Sequence, residues 1–140
     1  MKKRLTVLTV VVLVAFAVIT WFLVGDRGNT SECERMIGAS VHYSETEVEQ
    51  MMDVVEQAFR NAFQGCYLIE LTYDEALSDL YCEEWAEQYD ADLAVILTSV
   101  FDVGASGGDG SLNPNSTYSN WEWILTKTGQ EDWILQTWGY

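Results

Sequence analysis

Residues 93–101, Leu-Ala-Val-Ile-Leu-Thr-Ser-Val-Phe, are apolar at almost every position and rich in β-branched side chains. A strand with one wet face alternates; a run apolar on both faces must be covered on both, so this stretch is a central strand and the rest of the chain must supply its cover. Asp102 ends the run. Residues 102–120 are rich in glycine, serine and asparagine and hold the only proline, Pro114. Such a stretch buries little and belongs on the surface. Loops beyond roughly 12 to 15 residues in a compact domain tend to be functional or disordered, which makes this one the expected seat of variation or binding.

The cover is legible on either side of that strand. Ser44-Glu45-Thr46-Glu47 is a capping box, in which Ser44 accepts from the Glu47 amide and Glu47 reaches back, so a helix starts there. Val48, Met51, Met52, Val55, Phe59, Ala62 and Phe63 recur at three- and four-residue steps and make one stripe, with Gly65 as the stop. Residues 66–73 are aromatic and β-branched enough for a strand. Asp74 is the expected N-cap of a second, less regular helix carrying Leu77, Leu80, Tyr81, Trp85 and Tyr89. In 118–127, Trp121, Trp123 and Leu125 share one strand face and Glu122 takes the other; a turn at 128–131 returns the chain as a partner strand over 132–138. The order helix, strand, helix, strand, loop, strand, strand predicts an α+β fold, a curved antiparallel sheet packed on a long helix.

Charge excludes some functions. All 22 acidic residues lie at or after Asp26, against four bases there (Arg27, Arg35, Arg60 and Lys127), a formal charge of −18. A polyanion is bound by clustered Lys and Arg that displace its counterions, so nucleic acid is not an expected partner, nor are anionic lipid headgroups. The ordinary use of such charge is solubility.

Before Asp26, Met1-Lys2-Lys3-Arg4 precedes residues 5–24, twenty residues without a charge. At about 1.5 Å per residue a helix of that length matches the hydrocarbon thickness of a bilayer. The basic tip stays cytoplasmic, leaving the bulk outside. Residues 1–25 are therefore expected to be a single-pass transmembrane signal anchor in the cell membrane, 26–43 a flexible tether, and 44–140 an extracytoplasmic domain. The competing reading is a cleaved signal peptide with Ala15-Phe16-Ala17 as the cleavage site, but the apolar run continues to Val24 and cleavage would leave a greasy end.

Ser111-Leu112-Asn113-Pro114-Asn115-Ser116-Thr117-Tyr118, Trp121-x-Trp123-Ile124-Leu125 and Trp138-Gly139-Tyr140 together resemble a family of extracytoplasmic domains of Gram-positive bacteria. Gly65-Cys66, Leu71-Thr72-Tyr73-Asp74-Glu75, Ser99-x-Phe101-Asp102 and the basic Lys127 extend the resemblance over 44–140. It implies an NTF2-like (cystatin-like) fold with a conical cavity, a membrane-anchored or lipidated domain, and no assigned reaction or catalytic residues. This chain departs from the pattern in lacking a lipid-attachment cysteine at the end of its apolar segment.

Chemistry is sparse. Gly104-Ala105-Ser106-Gly107-Gly108 satisfies G-x-S-x-G, yet a nucleophile elbow needs a helix after the serine and a histidine base; glycine, Asp109, Asn113 and Pro114 follow, and His42 is the only histidine. Asp102 and Asp109, with Ser106, are weak calcium candidates without EF-hand spacing. Cys33, Cys66 and Cys82 have no zinc spacing; Cys66 with Cys82 is the disulfide candidate, three reduced thiols the alternative. Trp121, Trp123, Trp133 and Tyr118 are the candidate binding residues, although aromatics on an inner sheet face are more often core.

The expectation is a cofactor-free binding domain at the cell envelope, pairing with itself or with another envelope protein. The alternative is an NTF2-like enzyme that uses an acid and a tyrosine, such as Tyr67, Tyr73 or Tyr118, on a small hydrophobic substrate. A filled cone with an exposed aromatic rim favours binding; a deep pocket with an isolated inward carboxylate favours the enzyme.

Overall fold

The computed structural model describes residues 27–140; the anchor expected over 1–25 lies outside the described residues. Strands β1 (Glu34–Met36), β2 (Cys66–Tyr73), β3 (Leu93–Val103), β4 (Thr117–Lys127) and β5 (Ile134–Gly139) form one sheet in sequential order, with helix α1 (Glu45–Ala62) before β2 and α2 (Glu75–Gln88) after it. The fold is α+β. Among the described residues no helix is long and apolar enough to cross a membrane.

Helix α1 starts on the Ser44–Glu47 capping box. Its eighteen residues span about 27 Å, an ordinary length rather than the long helix expected. Val48, Met51, Met52, Val55 and Phe59 are fully buried, each contributing roughly 1.5–3 kcal/mol relative to exposure. Ala62, at the end of the expected stripe, is exposed. They face Leu68, Leu71, Val95, Leu97, Phe101, Trp123 and Leu125 on the inner side of the sheet.

Three register shifts bend that sheet, at 68–70 of β2, opposite 99–101 of β3, and at 124–125 of β4. The second shapes the site. Ser99 pairs with Trp121 and Phe101 with Tyr118, so β4 carries one residue more than β3 between these pairs, and Asn120 takes φ +57°. Asparagine tolerates that left-handed conformation, and the bulge turns both Tyr118 and Trp121 toward the inner side.

Two features depart from the expected order. Within 26–43, β1 pairs in parallel with β2, so the sheet is not wholly antiparallel. Arg35 ties that strand to α1, with Nη2 at 2.7 Å from Asp53 and Nε at 2.8 Å from Glu56. Helix α2, whose Leu80 and Tyr81 are exposed, works as an edge cover. Pairing of β2 with β3 stops at Tyr73–Leu97, and beyond it the Ile96 N–H donates to the buried Ser78 Oγ at 3.2 Å. A helix side chain thereby continues the ladder where the neighbouring strand has ended.

Candidate functional site: an aromatic rim beside a closed loop

The loop 104–116 is ordered by its own backbone. Gly104 N donates to Gly65 O (3.0 Å), Leu112 N to Gly107 O (3.2 Å) and Asn115 N to Gly104 O (3.2 Å), closing an Ω-like loop whose ends meet. Gly107 is required there: it sits at φ +70°, and a Cβ would stand 2.6 Å from the Leu112 carbonyl oxygen.

Against this loop the aromatic side chains form a continuous series from core to surface. Trp123 is fully buried and donates its indole N–H to Ser99 Oγ at 2.8 Å. Phe59 and Phe63 stack at 4.8 Å, and Phe101 meets Phe59 edge-on at 5.6 Å, so rings fill the space between α1 and this part of the sheet. Tyr118 stacks on Phe101 at 5.2 Å, and its hydroxyl accepts from Asn113 N at 3.2 Å. Trp121 stands edge-on to Tyr118 and Tyr140, at 5.6 and 5.1 Å. Trp138, paired across the strands with Trp123, is 44% exposed and Tyr140 78%. Phe63, Trp121 and Trp138 line a recess of about 180 Å³ with Gly108, Asp109 and Ser111 of the loop.

The four candidate binding residues thus separate. Trp121 and Tyr118 lie at the rim. Trp123, an inward position of β4, and Trp133, just before β5, are buried in the core. Trp138 and Tyr140, outside the expected set, are the exposed members; the Trp138-Gly139-Tyr140 ending is the signal that marks them. The buried ring nitrogens of Trp121 and Trp133 have no hydrogen-bond partner among the described residues.

Other candidates are not brought together. Asp102 accepts from Thr117 Oγ1 at 2.5 Å across the strands, whereas Asp109 closes a turn with Ser111 N at 3.0 Å, and no cluster of three or more His, Cys, Asp or Glu side chains suited to a metal occurs among the described residues. Ser106 donates to the Gly108 carbonyl (3.2 Å) and lies beside Gly65. His42 is held by Asp79 (3.2 Å) beyond the other end of α1, so no triad forms. Cys33, Cys66 and Cys82 are all free thiols, which corrects the expected Cys66–Cys82 pair. Cys66 opens β2 while Cys82 is on the helix that follows its far end, and an eight-residue strand holds them apart.

A second cleft, of about 320 Å³, carries His42, Tyr43, Asp79 and Cys82. Next to it is the pair nearest to acid–tyrosine chemistry: the buried Tyr73 hydroxyl lies 3.5 Å from Glu75. The two groups are shifted in opposite directions. Burial pushes the Tyr73 hydroxyl well above the ordinary tyrosine range, and hydrogen bonds from the Ser40 hydroxyl and the Val41 amide hold Glu75 below the usual carboxylate range. A proton carrier near neutral pH needs its pKa moved toward the working pH, and both groups move away from it.

No protein family, no curated protein sequence and no solved structure matches this chain.

Proposed function

We propose that this chain is a membrane-anchored extracytoplasmic domain of NTF2-like architecture that binds a partner at the cell envelope through the aromatic rim of Trp121, Trp138 and Tyr140, without catalysis. One observation carries the reading: the interior is closed by Trp123, Phe59 and Phe101, while large aromatics stand exposed together at its mouth. Exposed aromatics over a packed base are the usual make-up of interface anchors. The uncharged run at 5–24 and the basic tip before it support the anchoring and its orientation. The enzyme alternative loses ground on the protonation states of Tyr73 and Glu75.

The test is site-specific photocrosslinking of the full chain in cells that produce it, with a benzophenone amino acid at Tyr140 or, as a control at the other end of the fold, at the 87%-exposed Val41. A discrete adduct from position 140 that Trp138→Ala abolishes is expected, of doubled mass if the partner is a second copy. Equal labelling from both positions, or none from 140, contradicts the proposal. Protease added to the same intact cells should digest the domain; full protection would refute the orientation.

A further inference from the structure

At the C-terminal end of α1, between residues 27–31 and the start of β2, lies a cleft of about 460 Å³. Its wall inverts the sign of the molecule. From Asp26 onward the chain carries 22 acidic side chains and four basic ones, yet none of the nine described residues lining this cleft is acidic, and two are Arg27 and Arg60. Arg60 keeps one ion pair, with Glu56 at 3.4 Å; the other two bases lie elsewhere, Arg35 held by Asp53 and Glu56 and Lys127 over the Trp133 ring at 5.6 Å. No carboxylate among the described residues pairs with Arg27.

The backbone fixes this arrangement. Gly28 N donates to Arg60 O (3.1 Å), Asn29 N to Cys66 O (2.9 Å) and Leu68 N to Asn29 O (2.8 Å), pinning the segment between helix and strand. Arg60 Nη1 donates to Thr30 Oγ1 at 2.9 Å and lies 3.4 Å from Glu56, which leaves Nε and Nη2 without a partner among the described residues. Thr30 Oγ1 accepts that bond and keeps its own proton to donate.

We propose that this cleft is an oxyanion site that takes a phosphate group, received by the guanidinium groups of Arg27 and Arg60 and the hydroxyl of Thr30. Planar guanidinium forks match the several acceptor oxygens of a phosphate, and both arginines line the same cleft. Arg27 follows Val24 by three residues, at most about 11 Å of chain. If residues 5–24 span the membrane, as the proposed function has it, the cleft sits at headgroup depth and a lipid phosphate is its source; the site itself does not rest on that reading. The domain's net charge disfavours anionic membranes, but its distant carboxylates are screened beyond about 8–10 Å, and a zwitterionic headgroup is neutral overall.

The experiment uses the full chain with ¹⁵N-labelled arginine, first in phosphate-free nonionic micelles titrated with inorganic phosphate, then in phosphatidylcholine nanodiscs. Phosphate, but not chloride at equal ionic strength, should shift the Arg60 Nε–H resonance. Binding should weaken roughly tenfold or more in Arg60→Gln and in Arg27→Gln and be unchanged in Lys127→Gln. A response in nanodiscs alone identifies lipid phosphate as the source; a response to inorganic phosphate identifies a soluble one. No response to either, an equal response to chloride, or binding retained in both arginine variants overturns the proposal. Tryptophan fluorescence reports whether Arg60→Gln keeps its fold, and Arg27→Gln, which removes no hydrogen bond or ion pair among the described residues, decides the matter if it does not.

Discussion

Trp123 decides how the interior is used. Its indole N–H is buried and its one acceptor is Ser99 Oγ. Ser99→Ala strands that donor and should cost about 1–3 kcal/mol, read as a lower urea midpoint with an unchanged slope; an unaltered midpoint would mean that water already reaches the ring. The thiols give a second test. Burial, with Glu56 adding to it, pushes Cys33 up to about 11, and burial likewise raises Cys66. At pH 8 only about one Cys33 in a thousand is thiolate, so iodoacetamide should modify Cys82 first in the folded chain. Cys33 or Cys66 reacting as fast would contradict the packing around them.

Each secondary-structure element shows where sequence reading succeeds and where it stops. The capping box, the α1 stripe from Val48 to Phe59 and the doubly covered β3 follow from local pattern, and they appear where expected. The bulge at Asn120 has no periodic signature, because one left-handed residue decides it, so the shared direction of Tyr118 and Trp121 was not legible. Strand β1 has three residues and forms because β2 offers a free edge, information held by the partner rather than by Glu34-Arg35-Met36. Ser78 illustrates the same limit, since its role exists only where β2 falls short of β3. Ser78→Ala should leave the Ile96 amide unsatisfied and cost about 1–3 kcal/mol, with faster hydrogen exchange at Ile96; Ile96 exchange as in the parent would remove the edge-cover role. Glu75 governs the segment before α1. Its carboxylate is held below the ordinary range by Ser40 and Val41, so its contribution is present above the unfolded glutamate pKa and lost as pH falls through the lower folded value. The protection factor of the Val41 amide, its exchange rate relative to a free peptide at the same pH, should therefore fall as pH drops through that lower value, and Glu75→Gln should remove the protection at neutral pH; a pH-independent protection factor in the parent would contradict this.

For the molecule as a whole, fold class and acidic character were readable because composition and periodicity are sums over many residues, whereas the site was only partly so. Loop 104–116 and Trp121 were marked, but which aromatics are core and which are rim depends on how α1 closes over the sheet. The account rests on that closure: a solid aromatic base with its working surface outside. Indole hydrogen exchange in the ¹⁵N-tryptophan-labelled full chain measures it directly. Trp123 should exchange slowly, at a rate set by global unfolding, and Trp138 within the dead time. If Trp123 exchanged as fast as Trp138, the interior would be an open, wet cone and the binding account would fail.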